Sequence, residues 1–439
     1  MIVTADWVLP ITGPPLRDGA VAVKGRVIEA VGPLAEMTAR YPERAVSVHA
    51  DSVLVPGLVN AHTHLCLSAL EGLIGPMPFP AWLERVAAAS RALDADDFAA
   101  SAAWGAVTCL MAGVTAVGDI AYGPESLSAT GDIGPGGVFF WEVLGITETE
   151  LARTLDRLEF PRERECGEGR FSCGISPHAP YTSGPALLRA THRLARERGI
   201  RHMLHLAESP AEERLMRSGD GPLAEVATRN ARGFTSPGAG AVTYAHDLGV
   251  LEGTIAVHCV TASETETRLL ARHARGVVLC PRSNRYLQCG APPVAMLRSA
   301  GAALAIGSDS VASNEGVDLF AEARALAAMD PGLTPERLLA MMTLEGARVL
   351  GIEHHFGSLE PGKQADLVAI ATPATGTPAE TLVGRARPAD VRAVMTAGAW
   401  RVLDGQPVGR TARIEAAMRV ARAKAERLLS GTFPGRRSD

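Results

Sequence analysis

Eight short apolar segments alternate with helical patterns through the middle of the chain, and this alternation restricts the possible folds more than any other feature. Helical patterns separate the segments, for example at residues 185–198 and 265–275. Strands that alternate with helices form βαβ units, and eight such units over roughly 300 residues match the size of a TIM barrel. The predicted strands are residues 54–61, 114–118, 137–145, 171–176, 202–206, 254–258, 277–280 and 303–307.

An open, doubly wound sheet would show the same alternation of strands and helices. That fold carries a glycine-rich phosphate loop after its first strand, and no such loop follows residues 54–61. We therefore predict an α/β fold with a (β/α)8 TIM barrel over residues 53–359.

Strand-like segments at both chain ends predict a second, smaller β domain. Residues 20–23 and 27–31 flank a turn at Gly25 and indicate a hairpin, and further strand patterns occur at 367–370 and 391–402. An amphipathic helix is predicted at 414–429. We predict a β-sandwich from residues 1–52 and 360–410, and a C-terminal helix and tail over 411–439.

Composition and charge exclude several classes of partner. The chain has 439 residues, 47% of them hydrophobic, and a formal net charge of −5, so it offers no basic surface for nucleic acid or an anionic membrane. Residues 98–118 carry no charge and could be taken for a membrane span. Their small residues and Gly113 instead favour a buried helix, 98–112, that is followed by a short strand. The seven cysteines lack a disulfide framework and the start lacks a signal peptide, so we predict a cytoplasmic location.

The first predicted barrel strand ends in the sequence NAHTHL, which contains His62 and His64. Side chains two residues apart in an extended segment point to the same side, so these imidazoles can hold one metal ion. Parallel barrels build their active sites at the C-terminal ends of their strands. The sequence therefore predicts a metal site at this end of the barrel.

Other predicted strands also end in groups that bind metals or transfer protons. The fourth, fifth, sixth and eighth strands end at His178, His205, His258 and Asp309. Three neutral imidazoles and one carboxylate suit zinc, with iron as an alternative. The predicted ligands are His62, His64, His205 and Asp309, which leave one coordination position open for water.

Two groups remain for catalysis beside this predicted ligand set. His258 is expected to hydrogen-bond the water, and Glu208, three residues after His205, is expected to carry protons to the substrate. A metal-binding scaffold without catalysis is the alternative from a different class of protein. Glu208 and the open coordination position favour an enzyme.

The motifs together resemble the amidohydrolase superfamily, and the resemblance covers nearly the whole chain. It rests on HTH after the first strand, histidines after the fifth and sixth, aspartate after the eighth, and GSLEPGKQADLVAI at 357–370. The three lysines, Lys24, Lys363 and Lys424, all lie outside the predicted barrel strands. The chain thus resembles the deaminase branch that binds one divalent ion, not the members in which a barrel lysine bridges two.

Longer segments resemble aminodeoxyfutalosine deaminases, which act in menaquinone biosynthesis. They are HTHLCLSALEG (62–72), PMPFPAWLERV (76–86), the stretch 205–223 and CPRSNRYLQCG (280–290). The resemblance implies attack of water at C6 of an adenine nucleoside whose sugar carries a carboxyphenyl ketone arm. In this scheme Glu208 protonates the ring nitrogen and the leaving ammonia, and Asp309 accepts the water proton.

Related subfamilies give alternative activities within the same fold. Methylthioadenosine/S-adenosylhomocysteine deaminases usually place a ribose-binding glutamate after the loop tryptophan, where this chain has Arg91. Guanine deaminases and chlorotriazine hydrolases are further alternatives. Cys66 is a departure, because a glutamate or another polar residue is expected there in close relatives, and it bears on the shape of the pocket floor.

The resemblance also implies which residues bind the substrate. His178 is expected to hydrogen-bond the base, and Trp82 and Glu142 are further candidates for substrate binding. Arg282 is expected at the pocket mouth, where a guanidinium binds a carboxylate through two parallel hydrogen bonds. The expected partner is a small nucleoside, with a homodimer left open as the oligomeric state.

Overall fold

The computed structural model describes residues 1–145, 170–230, 234–372, 376–409 and 411–431. The end of the predicted C-terminal tail, 432–439, lies outside them. The described strands, numbered along the chain, are β1 Ile2–Val8, β2 Leu16–Lys24, β3 Val27–Pro33, β4 Val46–Pro56, β5 Leu58–Thr63, β6 Val114–Ala121, β7 Gly136–Val143, β8 Phe171–Pro177, β9 Arg201–Leu206, β10 Ile255–His258, β11 Gly276–Leu279, β12 Leu304–Ile306, β13 Leu367–Ala371, β14 Val391–Thr396, β15 Ala399–Leu403 and β16 Gln406–Pro407.

Strands β5 to β12 form an eight-stranded parallel sheet in which each strand lies beside its neighbour in the chain. The sheet curls until its two edges meet. At this junction the backbone N–H of Asp309, after β12, donates to the carbonyl of His62 on β5 at 3.0 Å. Asn60 adds hydrogen bonds to Ser308 across the same junction. Helices follow the strands, so the predicted TIM barrel is confirmed.

The first predicted barrel strand, at 54–61, is wrong as a single element. The structure divides it at Gly57 into β4, which pairs with β1 and β13, and β5, which belongs to the barrel. A Cβ atom at Gly57 would lie 1.8 Å from Oγ1 of Thr115, so only glycine allows the chain to pass this close to β6. The apolar sequence continues through Gly57, which explains why its pattern alone suggested one strand.

The second sheet is built from both chain ends, as predicted, in the order β16-β15-β14-β13-β4-β1-β2-β3. The predicted hairpin is the antiparallel pair β2–β3. The sheet folds back on itself, because backbone N–H groups of Gly362 and Ala365 donate to carbonyls of Ile28 and Arg26 at 2.8 Å. Apolar residues from both halves of the sheet fill the space between them, among them Val3, Val21, Leu54, Leu367, Ala393 and Met395.

The two sheets are joined by a buried ion pair. Arg170, immediately before β8, donates from both terminal nitrogens to the carboxylate of Asp366, at 3.1 and 2.8 Å. The guanidinium also lies over the ring of Phe356, 5.3 Å from its centroid. Asp366 accepts a further hydrogen bond from the backbone of Ala397. This contact ties the barrel to the β domain.

The uncharged segment after residue 97 forms the expected buried helix, Ala95–Met111, which leads into β6. Its small residues allow close packing, since a Cβ at Gly105 would lie 2.4 Å from Oγ of Ser68. The C-terminal helix Ala412–Leu429 packs on it through the buried Ala421 and Ala425. Within the described ranges, no helix is long and apolar enough to cross a membrane.

The remaining described helices surround the barrel or connect strands, except that Leu34–Arg40 packs on the β domain. They are Leu34–Arg40, Phe79–Ser90, Pro124–Ile133, Pro185–Arg198, Pro210–Ser218, Pro222–Asn230, Ala241–Asp247, Glu264–His273, Pro281–Tyr286, Val294–Ser299, Leu319–Met329, Pro335–Met341, Leu344–Leu350 and Pro378–Arg385, with 3-10 turns at Leu65–Leu70 and Pro388–Asp390.

Candidate metal centre and active-site cavity

The barrel brings the predicted metal ligands together at the C-terminal ends of its strands. The Nε2 atoms of His62 and His64 lie 3.4 and 3.5 Å from Oδ1 of Asp309. The ring of His205 is centred 4.9 Å from that of His62. All four side chains are buried. The ligand atoms of His62, His64 and Asp309 lie within 4.8 Å of one another, and so do those of His62, His205 and His258. The four predicted ligands therefore form one cluster around His62.

Hydrogen bonds to the outer side of this cluster orient two of its members. Nδ1 of His205 lies 2.8 Å from the carbonyl of His178, which leaves Nε2 facing the cluster. Oδ2 of Asp309 accepts hydrogen bonds from Ser283 at 2.6 Å and Ser313 at 3.0 Å, which leaves Oδ1 facing the histidines. Our sequence analysis missed both serines, although Ser283 belongs to the quoted CPRSN segment.

The donor atoms of the cluster fit a divalent cation. Both ring nitrogens of His62 and Nδ1 of His64 are buried without a hydrogen-bond partner in the protein. Buried polar atoms normally have partners. A neutral imidazole has one nitrogen with a lone pair, and in these two rings that lone pair is available to a ligand. Burial lowers the pKa of His64 to about 3, so its ring is neutral, as a metal ligand must be. Burial acts to raise the pKa of Asp309, but the ring of His62, whose Nε2 lies 3.4 Å from Oδ1, and the other surrounding imidazoles hold it well below its usual range.

Glu208 and His258 lie beside this cluster, as predicted. Oε1 of Glu208 is 3.7 Å from Nε2 of His258. Burial, together with the charges of Asp309 and Glu212, raises the pKa of Glu208 well above its usual range. Burial therefore favours the protonated form of this carboxyl group, which can donate its proton.

The loop that carries Glu208 is held by Glu212, which our sequence analysis also missed. The two carboxylate oxygens of Glu212 accept hydrogen bonds from the backbone N–H groups of Ala207 at 3.1 Å and Glu208 at 2.6 Å. Ala207 has a positive φ of 52°, a conformation that an L-residue adopts only when its surroundings enforce it. Ser209 caps the next helix through the N–H of Glu212, and this Ser-x-x-Glu spacing was the available signal.

Two adjoining cavities lead from this cluster to the surface. The inner cavity has a volume of about 60 Å³. Its lining includes three of the predicted ligands together with Glu208, His258, Phe79 and Trp82. The outer cavity has a volume of about 250 Å³ and is mainly apolar. Both cavities share five lining residues, Leu83, Val86, Tyr122, Glu142 and His178.

Three of the predicted substrate-binding residues line the cavities. Nε1 of Trp82 donates to the carbonyl of Ala312 at 2.9 Å, so its indole forms an apolar wall with no free donor. Nδ1 of His178 bonds Thr182 at 2.7 Å, which leaves the other ring nitrogen free. The carboxyl group of Glu142 is buried and its Oε1 has no partner in the protein. Burial raises the pKa of Glu142 to about 8.

Arg282, the fourth predicted substrate-binding residue, is placed differently. Its guanidinium lies 3.3 Å from Oε2 of Glu315 and 3.7 Å from Oε1 of Glu322. It does not appear among the described residues that line either cavity. Arg282 therefore pairs with protein carboxylates, and its binding of a substrate carboxylate stays a prediction. A sequence pattern shows that Arg282 follows a strand. It does not show whether the guanidinium faces the cavity or a neighbouring carboxylate.

Cys66 is also set back from the cavities. Its thiol is fully buried, with Sγ 3.8 Å from the carbonyl of Ile120. Burial raises its pKa well above the usual range, so the thiol stays neutral. Cys66 belongs to the 3-10 turn Leu65–Leu70, and its side chain fills space on the buried side of that turn.

A parallel barrel with imidazoles and a carboxylate at its strand ends, beside a buried acid whose pKa is raised, is typical of a metal-dependent hydrolase. The chain belongs to the Amidohydrolase family, whose model matches residues 53–401. Residues 19–43 also match an imidazolonepropionase-like composite domain of bacteria. The prediction of an amidohydrolase-type enzyme is confirmed by this membership.

Several relatives are similar over most of their length. A 5-methylthioadenosine/S-adenosylhomocysteine deaminase of Moorella thermoacetica is 31% identical, with 83% of each chain covered. An aminodeoxyfutalosine deaminase of Deinococcus radiodurans is 32% identical, over 80% of this chain and 85% of the relative. The crystal structure of an adenosine deaminase from Xanthomonas campestris with bound zinc is 28% identical, with a TM-score of 0.80 over 97% of this chain and 98% of that chain.

We expect one tightly bound divalent ion per active chain, because the candidate ligand groups of the described residues overlap through shared side chains and the described barrel strands contain no lysine to bridge a second ion. Elemental analysis of the purified protein measures this ratio. His205→Ala should lose the ion. His202→Asn should keep it, because His202 lies on the same strand but bonds Thr254 on the outer side. Two ions per active chain would contradict the prediction.

Proposed function

We propose that this chain is a hydrolytic deaminase that releases ammonia from C6 of an adenine nucleoside. The observation that carries the proposal is the position of Glu208, a buried acid whose pKa is raised by burial, in the inner cavity beside the cluster of His62, His64, His205 and Asp309. Deamination needs an activated water and a proton for the leaving amine, and these two groups lie side by side here.

Each side chain of the inner cavity has a role in this reaction. A divalent ion, which we propose is a single Zn²⁺, would be held by His62, His64, His205 and Asp309, and when bound it makes hydroxide available near neutral pH. Glu208 donates its proton to the ring nitrogen next to C6, takes up the hydroxyl proton as C6 becomes a carbonyl, and helps to pass the proton held by Asp309 to the departing ammonia. Asp309 accepts the proton of the attacking water, and His258 donates a hydrogen bond to the attacking oxygen.

The arrangement of the two cavities supports a nucleoside with an extended sugar substituent. The inner cavity admits the reacting edge of the base, where the free ring nitrogen of His178 is available for a hydrogen bond. The outer cavity, four times larger, is available for the sugar and its substituent. The unpaired oxygen of Glu142 lies where they meet and offers an acceptor to a sugar hydroxyl.

The particular substrate we propose is aminodeoxyfutalosine, which would place the enzyme in menaquinone biosynthesis. The quoted sequence segments and the Deinococcus radiodurans relative support this choice. A second candidate is methylthioadenosine, together with S-adenosylhomocysteine. The apolar lining of the outer cavity by Leu83, Val86 and Val226 favours it, as does the pairing of Arg282 with protein carboxylates. The homodimer and the cytoplasmic location remain predictions from the sequence.

An ammonia-release assay on the zinc-loaded protein tests the proposal. The panel is adenosine, methylthioadenosine, S-adenosylhomocysteine, aminodeoxyfutalosine, guanine and a chlorotriazine, the last also assayed for chloride. We expect ammonia from the adenine nucleosides, with the largest kcat/KM for one that carries a 5′ substituent. Turnover of guanine or the chlorotriazine alone would refute the proposal. A preference for methylthioadenosine over aminodeoxyfutalosine would refute only the choice of substrate.

A further inference from the structure

Two histidines of the inner cavity have nearly equivalent positions but are given different roles. The rings of His205 and His258 are stacked, with centroids 5.5 Å apart and planes inclined by 23°. Together with His62 they present nitrogens close enough for one metal ion. Proximity therefore does not determine which of the two is a ligand. The determining property is which ring nitrogen carries the hydrogen, because a neutral imidazole coordinates through the nitrogen that lacks one.

The hydrogen-bond partner of His205 fixes its tautomer. Nδ1 of His205 lies 2.8 Å from the backbone carbonyl of His178, which can only accept. Nδ1 must therefore carry the hydrogen, and Nε2 presents a lone pair to the cluster. This is the usual arrangement of a histidine metal ligand, whose second nitrogen donates to a carbonyl or carboxylate.

The partner of His258 has the opposite polarity. Nδ1 of His258 lies 3.1 Å from Nδ2 of Asn284, an amide nitrogen that can only donate. Nδ1 must therefore accept, and Nε2 carries the hydrogen. The carboxyl oxygen of Glu208 lies 3.7 Å from this Nε2, on the side where an N–H group is expected.

Rotating the amide of Asn284 would not improve the arrangement. The rotation would bring Oδ1 to the ring and move Nδ2, with its two hydrogens, to the place where Oδ1 now lies buried without a partner. Buried unpaired donors are costly, and an unpaired carbonyl oxygen is tolerated somewhat better. This cost favours the observed orientation.

We propose that Asn284 is a positioning residue that fixes His258 in the Nε2–H tautomer. In that form His258 is excluded from the metal ligands and donates a hydrogen bond into the inner cavity. Asn284 is well placed for this role because it is fully buried in the helix Pro281–Tyr286, at the end of β11 next to β10. The assignment of the donated hydrogen bond to the attacking oxygen rests on the proposed function; the tautomer itself does not.

Nitrogen NMR of the ¹⁵N-histidine-labelled, zinc-loaded protein measures the tautomers directly. Long-range ¹H–¹⁵N correlations distinguish protonated from unprotonated ring nitrogens, and a His258→Gln sample assigns the signals. We expect hydrogen on Nε2 of His258 and on Nδ1 of His205. Hydrogen on Nδ1 of His258 in the unmodified protein would overturn the inference.

Two substitutions at one position test the role of Asn284. Asn284→Asp keeps the size but offers an acceptor, so His258 should move its hydrogen to Nδ1, and kcat should fall at least about tenfold while KM changes little. Asn284→Ala removes the partner and should leave a mixture of the two tautomers. An unchanged His258 tautomer in Asn284→Asp would overturn the inference. If that variant does not fold, the spectra of the unmodified protein and of Asn284→Ala decide.

Failure of this inference can be told apart from failure of the proposed function. If no adenine nucleoside is deaminated but the tautomers are as expected, the proposed reaction fails and the role of Asn284 stands. If ammonia is released but His258 carries its hydrogen on Nδ1, the reaction stands and the role of Asn284 fails.

Discussion

Glu208→Gln should lower the kcat of deamination by about a hundredfold or more, because general acid–base groups contribute on that scale. The substitution keeps the shape of the side chain but removes the proton that burial holds on it. The ligand cluster does not include Glu208, so the metal content should remain unchanged. Steady-state kinetics on the best substrate of the panel, with elemental analysis of the same sample, measure both quantities.

Glu213→Gln is the matched control for this prediction. Glu213 lies five residues further along the chain, in the following helix, where its carboxylate pairs with Arg217 near the surface. Its substitution should leave kcat nearly unchanged. Loss of the metal from Glu208→Gln would instead show that Glu208 is a ligand and that its assigned role is wrong.

Arg170→Met should lower the free energy of unfolding by about 3–5 kcal/mol, the cost of removing one partner from a buried ion pair. The side chains of Arg170 and Asp366 are only 6% and 4% exposed, so the remaining carboxylate would stay buried without its counter-charge. The backbone N–H of Ala397 would still donate to it, which places the cost towards the lower end of this range. Equilibrium unfolding in urea, compared at equal m-value, measures the change.

Arg214→Met is a control with similar geometry and different burial. Arg214 and Asp220 also form two hydrogen bonds, both at 2.9 Å, but their side chains are 59% and 56% exposed. Exposed ion pairs contribute little because water and salt screen them, so this substitution should hardly change the unfolding midpoint. If Arg170→Met and Arg214→Met lowered the free energy of unfolding equally, burial of the Arg170–Asp366 pair would not be the reason that this pair stabilises the protein.

The barrel and its ligand cluster could be predicted from the sequence because both depend on local patterns. A strand candidate followed by a helical pattern indicates a parallel strand, and parallel strands in one barrel end at one edge. His62, His64, His205 and Asp309 each follow a strand candidate, so their meeting required only that the barrel closes. The same reasoning placed Glu208 and His258 beside the cluster.

The contacts of the residues that support the site could be identified only from the tertiary structure. Ser283 and Asn284 lie 26 residues from Asp309 and His258 in the chain. Their contacts depend on how the segment after β11 packs between its neighbours. No periodic pattern in the sequence contains that information. The pairing of Arg282 with Glu315 and Glu322 is of the same kind, and the sequence pattern did not indicate it.

The sequence by itself therefore determined the order of strands and helices, and which chemical groups stand at the strand ends. Only the tertiary structure decided that Gly57 separates two sheets, because the reason is the close approach of Thr115 on another strand. It also decided which nitrogen of His205 and His258 faces the cavity, because a carbonyl and an amide from distant segments set the two tautomers. Alternating patterns record the local periodicity of the backbone, whereas hydrogen-bond polarity across the barrel depends on the closed fold.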